Sequence, residues 1–426
     1  VNTQPDAPWQ ARLARFLARP WLRSVLPAVL VLLYTGWIGY QWVRDYLIDF
    51  NVYYIAAYGF RTGWDVYGMG IDYRGVNWPQ WEALAAAAGV EDFTAPYRYP
   101  PLTAQLAAPL LPFSEQVAGM VWLGLTAAAF VVSAWWLGRL WTQPEGPSLV
   151  YLLMLGFVPP LTTLHAGQVN GFVLLALVAG YAGLMGRRPW LAGSALAVAA
   201  LLKLLPLALC LYLGWRKQWR AATVCALTLV GLLLTAPLTL APDILRRYGA
   251  NFLGISEQGN LHPTAANQAL SGFLARLLEG VVAYEVIYAL YLGGVALLLV
   301  ATVALCWPWC NLPHFWRYEY SLILCTLMLI PPYNWYHMLV LLLIPLVVMV
   351  EQLWRSARWR LLALLLSFYL LANVHGLFYH FYAHLRLLSS FPFLFVLLLW
   401  GMLAWRIVRE RQAPGPLPAT VYAGGD

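Results

Sequence analysis

This sequence is short of charge. Only 10% of its 426 residues are Asp, Glu, Lys or Arg, against about 25% in an ordinary soluble domain. With 62% of residues hydrophobic, there is too little polar surface to wrap the apolar mass in water. Cysteine is scarce as well. The five residues Cys210, Cys225, Cys306, Cys310 and Cys325 lie in or beside apolar runs, so no disulfide framework is expected. Cys306 and Cys310 flank Trp-Pro-Trp without a second pair at zinc spacing. There is no His-x-x-x-His with an acid partner, no Asp-x-Asp and no calcium loop, so no metal site is expected. A Gly-rich phosphate loop is missing too, which argues against a nucleotide cofactor or a soluble nucleotide-sugar donor. The net charge of +8 forms no basic stripe. Its Lys and Arg sit in ones to fours between apolar runs, as topology signals do, and nucleic acid is not an expected partner.

What the chain has in abundance is apolar run and aromatic ring. It carries 22 Trp and 25 Tyr, which suits interfacial belts and sugar-stacking surfaces alike. A membrane-crossing helix needs about 20 apolar residues. Runs of that kind occur near 24–43, 115–138, 148–165, 170–186, 219–239, 281–306, 318–332, 337–351, 360–374 and 391–408. The first is too long for the core of a signal peptide and has no small-residue cleavage site, so it reads as a retained helix. A helix near 102–111 only dips into the membrane. The run 190–215 has basic residues at both ends and is interrupted by Lys203 and Pro206. One helix cannot begin and end on the same side. Two half-length helices forming a re-entrant hairpin, with Lys203 turned toward the far face, satisfy the pattern.

The expected fold is therefore an all-α polytopic membrane protein with about 11–13 membrane helices, some short or re-entrant. A segment 1–23 precedes one membrane domain, 24–410, and a Pro/Gly/Ala-rich tail, 411–426, reads as disordered. Two long polar segments, 44–101 and 240–279, fall on one side. The first contains an amphipathic helix from Asp49 to about Arg61 and a second helix near Gln80–Ala88. Segments assigned to the cytoplasm carry about twice the Lys and Arg of those assigned outside, which places both termini inside. The acids gather on the outer face, beside the polar segments.

Chemistry is expected on that face. Asp45 and Asp49 follow the first span and would share a helical face at i and i+4. A carboxylate at the lipid edge needs a partner or a task. Either acid could also cap a helix or pair with Arg44. Lys203 lies about 13 residues from either end of its run. A lysine that deep costs ~2.5–3.5 kcal/mol on insertion scales, and snorkelling to the surface is difficult, so an anion-binding role is favoured. His165-Ala166-Gly167-Gln168-Val169-Asn170, Asn267-Gln268 and Pro331-Pro332-Tyr333-Asn334-Trp335-Tyr336-His337 are short polar breaks on the same face. Each alone reads as a polar turn; their recurrence there is the signal.

Together these stretches resemble a known family. Asp49-Phe50-x-Val52-Tyr53-Tyr54-x-Ala56-Ala57, Tyr67, Tyr97-x-Tyr99-Pro100-Pro101, Gly167-Gln168-x-Asn170, Lys203-x-x-Pro206, Asn267-Gln268 and Trp335-x-His337 appear in this order. The chain resembles the family 87 glycosyltransferases, GT-C fold membrane enzymes that use polyprenyl-phosphate sugars. The resemblance implies a multi-pass enzyme of the plasma (inner) membrane. It implies transfer of a sugar, most often mannose, from a polyprenyl-phosphate donor to a hydroxyl of a glycolipid or glycan acceptor on the outer face, without a cofactor. Asp49 takes the place of the general base. Lys203, His337 and Arg98 are candidates for the donor phosphate. Asp45, Tyr53, Tyr99, Gln168, Asn170, Asn267, Gln268 and Trp335 are expected to face substrate. A pentosyl donor such as arabinofuranose is the nearest alternative. A transporter is the alternative of another class, although no internal repeat is detectable.

Overall fold

The computed structural model describes residues 8–44, 47–70, 77–94, 96–255, 261, 263–307, 313–377 and 385–412. These residues are helical, with isolated bridges in place of strands. The helices run in chain order: α1 Pro8–Leu17, α2 Leu22–Arg44, α3 Ile48–Thr62, α4 Trp78–Ala87, α5 Pro101–Ala107, α6 Glu115–Leu140, α7 Gly146–Leu155, α8 Pro159–Ala166, α9 Asn170–Met185 and α10 Pro189–Leu202. There follow α11 Leu207–Trp215, α12 Trp219–Thr239, α13 Ile244–Ile255, α14 Leu270–Leu278, α15 Tyr284–Leu305, α16 Pro313–Leu329, α17 Leu343–Arg355, α18 Trp359–Leu377 and α19 Phe391–Gln412. Among the described residues six helices are long and apolar enough to cross a membrane, or seven if the bent pair α7–α8 counts as one. Shorter apolar helices, α9, α10 and most of α18 among them, fill the bundle between these spans.

The sequence punctuates these elements physically. Proline opens α5, α8 and α10 at the first turn, where its missing N–H costs nothing. Ser114 caps α6, its hydroxyl accepting from Val117 N at 3.5 Å. Gly63 and Gly167 end α3 and α8 in the left-handed conformation, with φ of 87° and 71°. Lys203 and Pro206 break the 190–215 run as expected. Lys203 is extended at the end of α10, and α11 starts after Pro206.

Four expectations are corrected. The run 148–165 is not one helix: α7 and α8 meet at 53°, because Gly156 ends one and Pro159-Pro160 can only begin the next. The helix 102–111 ends at Ala107 and continues as a 3-10 turn, Ala108–Leu110, under Pro109. The helix beginning at Asp49 is not half exposed. Residues Phe50 to Ala57 are all buried, so α3 is sunk into the protein and does not lie on a surface. The tail proposed for 411–426 begins inside α19, and 413–426 lie outside the described residues.

Burial orders the bundle. The span Tyr336–Arg355, a 3-10 stretch continued by α17, is 83% buried over its apolar window and forms the centre. By contrast α12 and α15 are only 17% buried and present their apolar sides outward. Close helix approach depends on small residues. A Cβ added at Gly193 of α10 would sit 2.3 Å from Ala221 O and 2.7 Å from Cys225 N of α12. One added at Gly183 of α9 would sit 2.4 Å from Ala192 N of α10. These clashes are with backbone, so no rotamer change relieves them.

One expected outcome follows. Gly193→Ala should destabilise the α10–α12 contact by about 1–3 kcal/mol, the usual cost of overpacking. Gly36→Ala, on α2 with nothing within 4 Å of its Cβ, should be neutral or slightly stabilising. Thermal unfolding of the two variants in one detergent checks this; equal midpoints would contradict the packing.

Candidate active site

The site begins where α8 ends. Gly167 is left-handed, and its added Cβ would meet Phe50 Cβ at 2.6 Å and Phe50 N at 3.2 Å. No larger residue lets the α8–α9 turn lie against the first turn of α3. Trp122 of α6 donates its indole N–H to Gly167 O at 2.9 Å and fixes the turn from a third side. This approach brings Gln168 to Asp49.

Gln168 donates from Nε2 to Asp49 Oδ2 at 2.8 Å. Thr94, from the segment before α5, donates its hydroxyl to Asp49 Oδ1 at 3.1 Å. Gln168 is itself held: Tyr53 OH donates to its Oε1 at 2.9 Å, and Tyr99 OH lies 3.3 Å from Oε1 and 3.1 Å from Nε2. Tyr53 and Tyr99 meet edge to face, with centroids 4.8 Å apart. The tyrosine hydroxyl on Oε1 turns the amide so that its N–H faces the carboxylate.

Burial pushes the Asp49 carboxyl above its ordinary value, while the hydrogen bonds from Gln168 and Thr94 and the nearby Lys203 charge pull the other way. Each carboxylate oxygen has two lone pairs, and each has one donor here. Room remains on both for an incoming hydroxyl proton.

Lys203 reaches this neighbourhood from the α10–α11 break. Its ammonium lies 5.8 Å from the centroid of the Tyr99 ring and within electrostatic range of Asp49. It makes no hydrogen bond with the described residues, so three donors are unspent. His337 is also within range of the Lys203 charge. Its backbone carbonyl accepts from Thr163 at 3.1 Å and Asn170 at 3.3 Å, and its Nε2 is buried without a hydrogen-bond partner. Arg98 acts on Tyr99 and Tyr333 by charge, at the same end of the bundle. The structure thus gathers Asp49, Lys203, His337, Gln168, Tyr53, Tyr99 and Asn170.

Other sequence candidates are placed differently. Asn267 and Gln268 are fully buried with their amides committed to the chain. Asn267 Nδ2 donates to Ser271 Oγ at 3.2 Å and Pro332 O at 3.0 Å, and its Oδ1 accepts from Asn334 N at 3.0 Å. Gln268 Nε2 donates to Ala265 O at 2.6 Å and Ser389 O at 2.8 Å. They staple the loop before α14 to the Pro331–Trp335 break. Trp335 pairs with Asn267 through its backbone and is 41% exposed as a residue. Asp45 lies outside the described residues. Thr94 was not legible in the sequence, because a lone Thr in a coil carries no pattern. Among the described residues no group of three or more His, Cys, Asp or Glu could hold a metal ion.

Comparison with known proteins identifies the family of the chain. Residues 97–332 match the family model for glycosyltransferase family 87. The chain belongs to glycosyltransferase family 87. It is 27% identical over 284 residues to a polyprenol-phosphate-mannose-dependent α-(1-2)-phosphatidylinositol pentamannoside mannosyltransferase of Mycolicibacterium smegmatis, covering 65% of this chain and 62% of that protein. It is 27% identical over 310 residues to a polyprenol-phosphate-mannose-dependent α-(1-2)-phosphatidylinositol mannoside mannosyltransferase of Mycobacterium tuberculosis, covering 66% and 65%. An α-(1->3)-arabinofuranosyltransferase of Mycobacterium tuberculosis is 30% identical over 204 residues, covering 46% and 42%. The chain spans less than two thirds of the length of these curated relatives. No solved structure matches it. The family match spans Arg98, Tyr99, Gln168, Asn170, Lys203, Asn267 and Gln268; Asp49 and His337 lie outside it.

The hydrogen bond from Gln168 helps to set the acidity of the Asp49 carboxyl. Gln168→Leu removes a donor to the ionised carboxylate and should raise the Asp49 pKa further. A base works only when ionised, so activity falls as pH drops through that pKa. The acid limb of the pH–rate profile should therefore move to higher pH in Gln168→Leu, and to lower pH in no case. An unmoved limb would show that Gln168 does not act through Asp49.

Proposed function

We propose that this protein is an inverting membrane glycosyltransferase moving a sugar, most simply mannose, from a polyprenyl-phosphate donor to a hydroxyl of a glycolipid or glycan acceptor on the outer face of the membrane. One observation carries the reading. A desolvated carboxylate, an ammonium and an imidazole nitrogen meet in one neighbourhood, and the two nitrogen groups have no hydrogen-bond partner among the described residues. That is the complement of a reaction in which a proton leaves an alcohol while negative charge grows on a phosphate.

Asp49 accepts the acceptor hydroxyl's proton as the oxygen attacks the anomeric carbon. The bond from that carbon to the phosphate oxygen breaks, and polyprenyl phosphate departs with the electron pair. The phosphate is stable as an anion, so no general acid is required; cations and donors aimed at its oxygens lower the barrier. Lys203 and His337 supply these, with Arg98 at the edge. A double displacement would need a second positioned carboxylate, and Asp49 is the carboxylate of this described cluster. Tyr99 and Trp335 can stack on sugar. Support for mannose comes from the names of two relatives, and the arabinofuranosyl relative keeps a pentosyl donor as the alternative. The bias of Lys and Arg favours the outer face for the Asp49 end, with both termini cytoplasmic.

Three outcomes test the reading. Asp49→Asn should lower transfer by about 10²–10⁴-fold, the range of a general base, with folding and donor binding retained. Near wild-type turnover in that variant would remove the assignment. Lys203→Ala should raise the donor KM and lower kcat with a short-chain polyprenyl-phosphate mannose; unchanged kinetics would refute its phosphate role. Transfer should persist in EDTA, because Lys203 and Arg98 carry the charge that a divalent ion would otherwise supply. Loss of activity that added divalent ions restore would contradict this.

A further inference from the structure

None of the site residues comes from α1. With 10 residues it is too short to span a bilayer, and it carries Arg12 and Arg15, with Arg19 just beyond its end. At about 3.6 residues per turn its sides are distinct. Gln10 and Leu17 are buried and make the side toward the bundle, where α1 packs on α7. Trp9, Leu13 and Phe16 make a neighbouring side and stay 48%, 37% and 43% exposed, although Trp9 meets the Trp359 ring edge to face at 5.1 Å. Arg12 and Arg15 are exposed beyond them, and the Arg19 guanidinium lies over the Phe16 ring at 5.4 Å. From residue 8 to residue 44 the sequence has no Asp or Glu. We propose that α1 is an interfacial helix on the membrane surface at which α2 enters, with Trp9, Leu13 and Phe16 among lipid chains and Arg12, Arg15 and Arg19 on the phosphates of anionic phospholipids.

Continuity identifies what covers this face. The Phe16 and Trp21 rings pack edge to face with centroids 6.1 Å apart. Trp21, Val25, Val29 and Leu32 then continue up α2 as exposed apolar side chains at three- and four-residue spacing. The apolar window of α2 is only 22% buried, so this span has lipid for a neighbour. The apolar side of α1 is the start of the same stripe, and a protein seated there would have to displace lipid from it. A short helix with Trp and Phe on one side and Arg on the other is the pattern of a helix lying in the interface plane. Charge narrows the occupant further. Three arginines on a stretch without acids favour anionic over zwitterionic headgroups, and a guanidinium can hold two phosphate oxygens at once. The carboxylate among the described residues lining the depression beneath α1 is Glu145. It is buried and accepts from the Trp354 indole at 2.7 Å, whereas the three arginines are exposed.

The test uses the full chain with p-benzoylphenylalanine in place of Phe16, which keeps an aromatic ring there. It is reconstituted into nanodiscs of phosphatidylcholine and phosphatidylglycerol in equal parts, irradiated, and its adducts are identified by mass spectrometry. Phospholipid adducts should form, with phosphatidylglycerol exceeding phosphatidylcholine by about threefold or more. Raising NaCl from about 0.1 M to about 0.5 M screens the headgroups and should bring that ratio toward one. Replacing the three exposed arginines together, Arg12→Gln, Arg15→Gln and Arg19→Gln, should do the same at low salt, with the thermal midpoint of the parent chain retained. The salt comparison needs no arginine variant and decides the matter if the triple variant does not fold. Adducts to protein alone, or no lipid adduct, would overturn the interfacial placement. A ratio near one at low salt, or a ratio that either salt or a folded triple variant leaves unchanged, would overturn the preference for anionic lipid.

Discussion

The structure depends on one close approach. The Gly167 backbone lies where a Cβ would come within 2.6 Å of Phe50, and only glycine takes the left-handed turn there without strain. That approach converts two remote segments into one site. It places Gln168 against Asp49 across 119 residues of sequence, lets Tyr53 and Tyr99 clamp the amide, and presents Gly167 O to Trp122. Widening the turn by one methyl group would separate the Asp49 carboxyl from the Gln168 amide that donates to it.

The bundle carries buried charges at two ends, and the ends differ in how those charges are paired. Away from Asp49, buried charges are matched with one another. Arg317 pairs with Glu351, Arg216 with Glu319 at 3.2 Å, and Tyr212 donates to Glu319 at 2.5 Å. Trp354 donates to Glu145 at 2.7 Å nearby. Such pairs repay their desolvation only when geometry and extra hydrogen bonds are good, and here they knit α11, α16 and α17. At the Asp49 end, the Lys203 ammonium and His337 Nε2 stand without hydrogen-bond partners among the described residues. Burying such groups unsatisfied is costly, and a substrate that satisfies them recovers that cost on binding. Pairing with an opposite charge distinguishes Arg317 and Arg216 from Lys203.

Much of this was written in local pattern. Apolar run length marked the spans, because lipid requires helices with internally satisfied backbones. Basic residues on both sides of 190–215, with Lys203 and Pro206 inside, marked the broken hairpin that the structure contains. Asp49, Lys203 and His337 stood out because charge and breaks are rare in such a chain. The details that failed were those decided by neighbours. A single-helix reading of 148–165 missed the Gly156–Pro160 bend, and the supposed half-exposed face of α3 is covered by α5, α6 and α8.

The sequence by itself determined a helical membrane protein with its polar breaks gathered at one face, because hydropathy and backbone hydrogen bonding act over a single helix. Only the tertiary structure decided which of those breaks meet. It gave Gln168 to Asp49, brought in Thr94, spent Asn267 and Gln268 on holding a loop, and left the Lys203 ammonium without a hydrogen-bond partner among the described residues. Hydrogen-bond partnership between segments a hundred residues apart is set by how helices pack, and no periodicity within either segment records it.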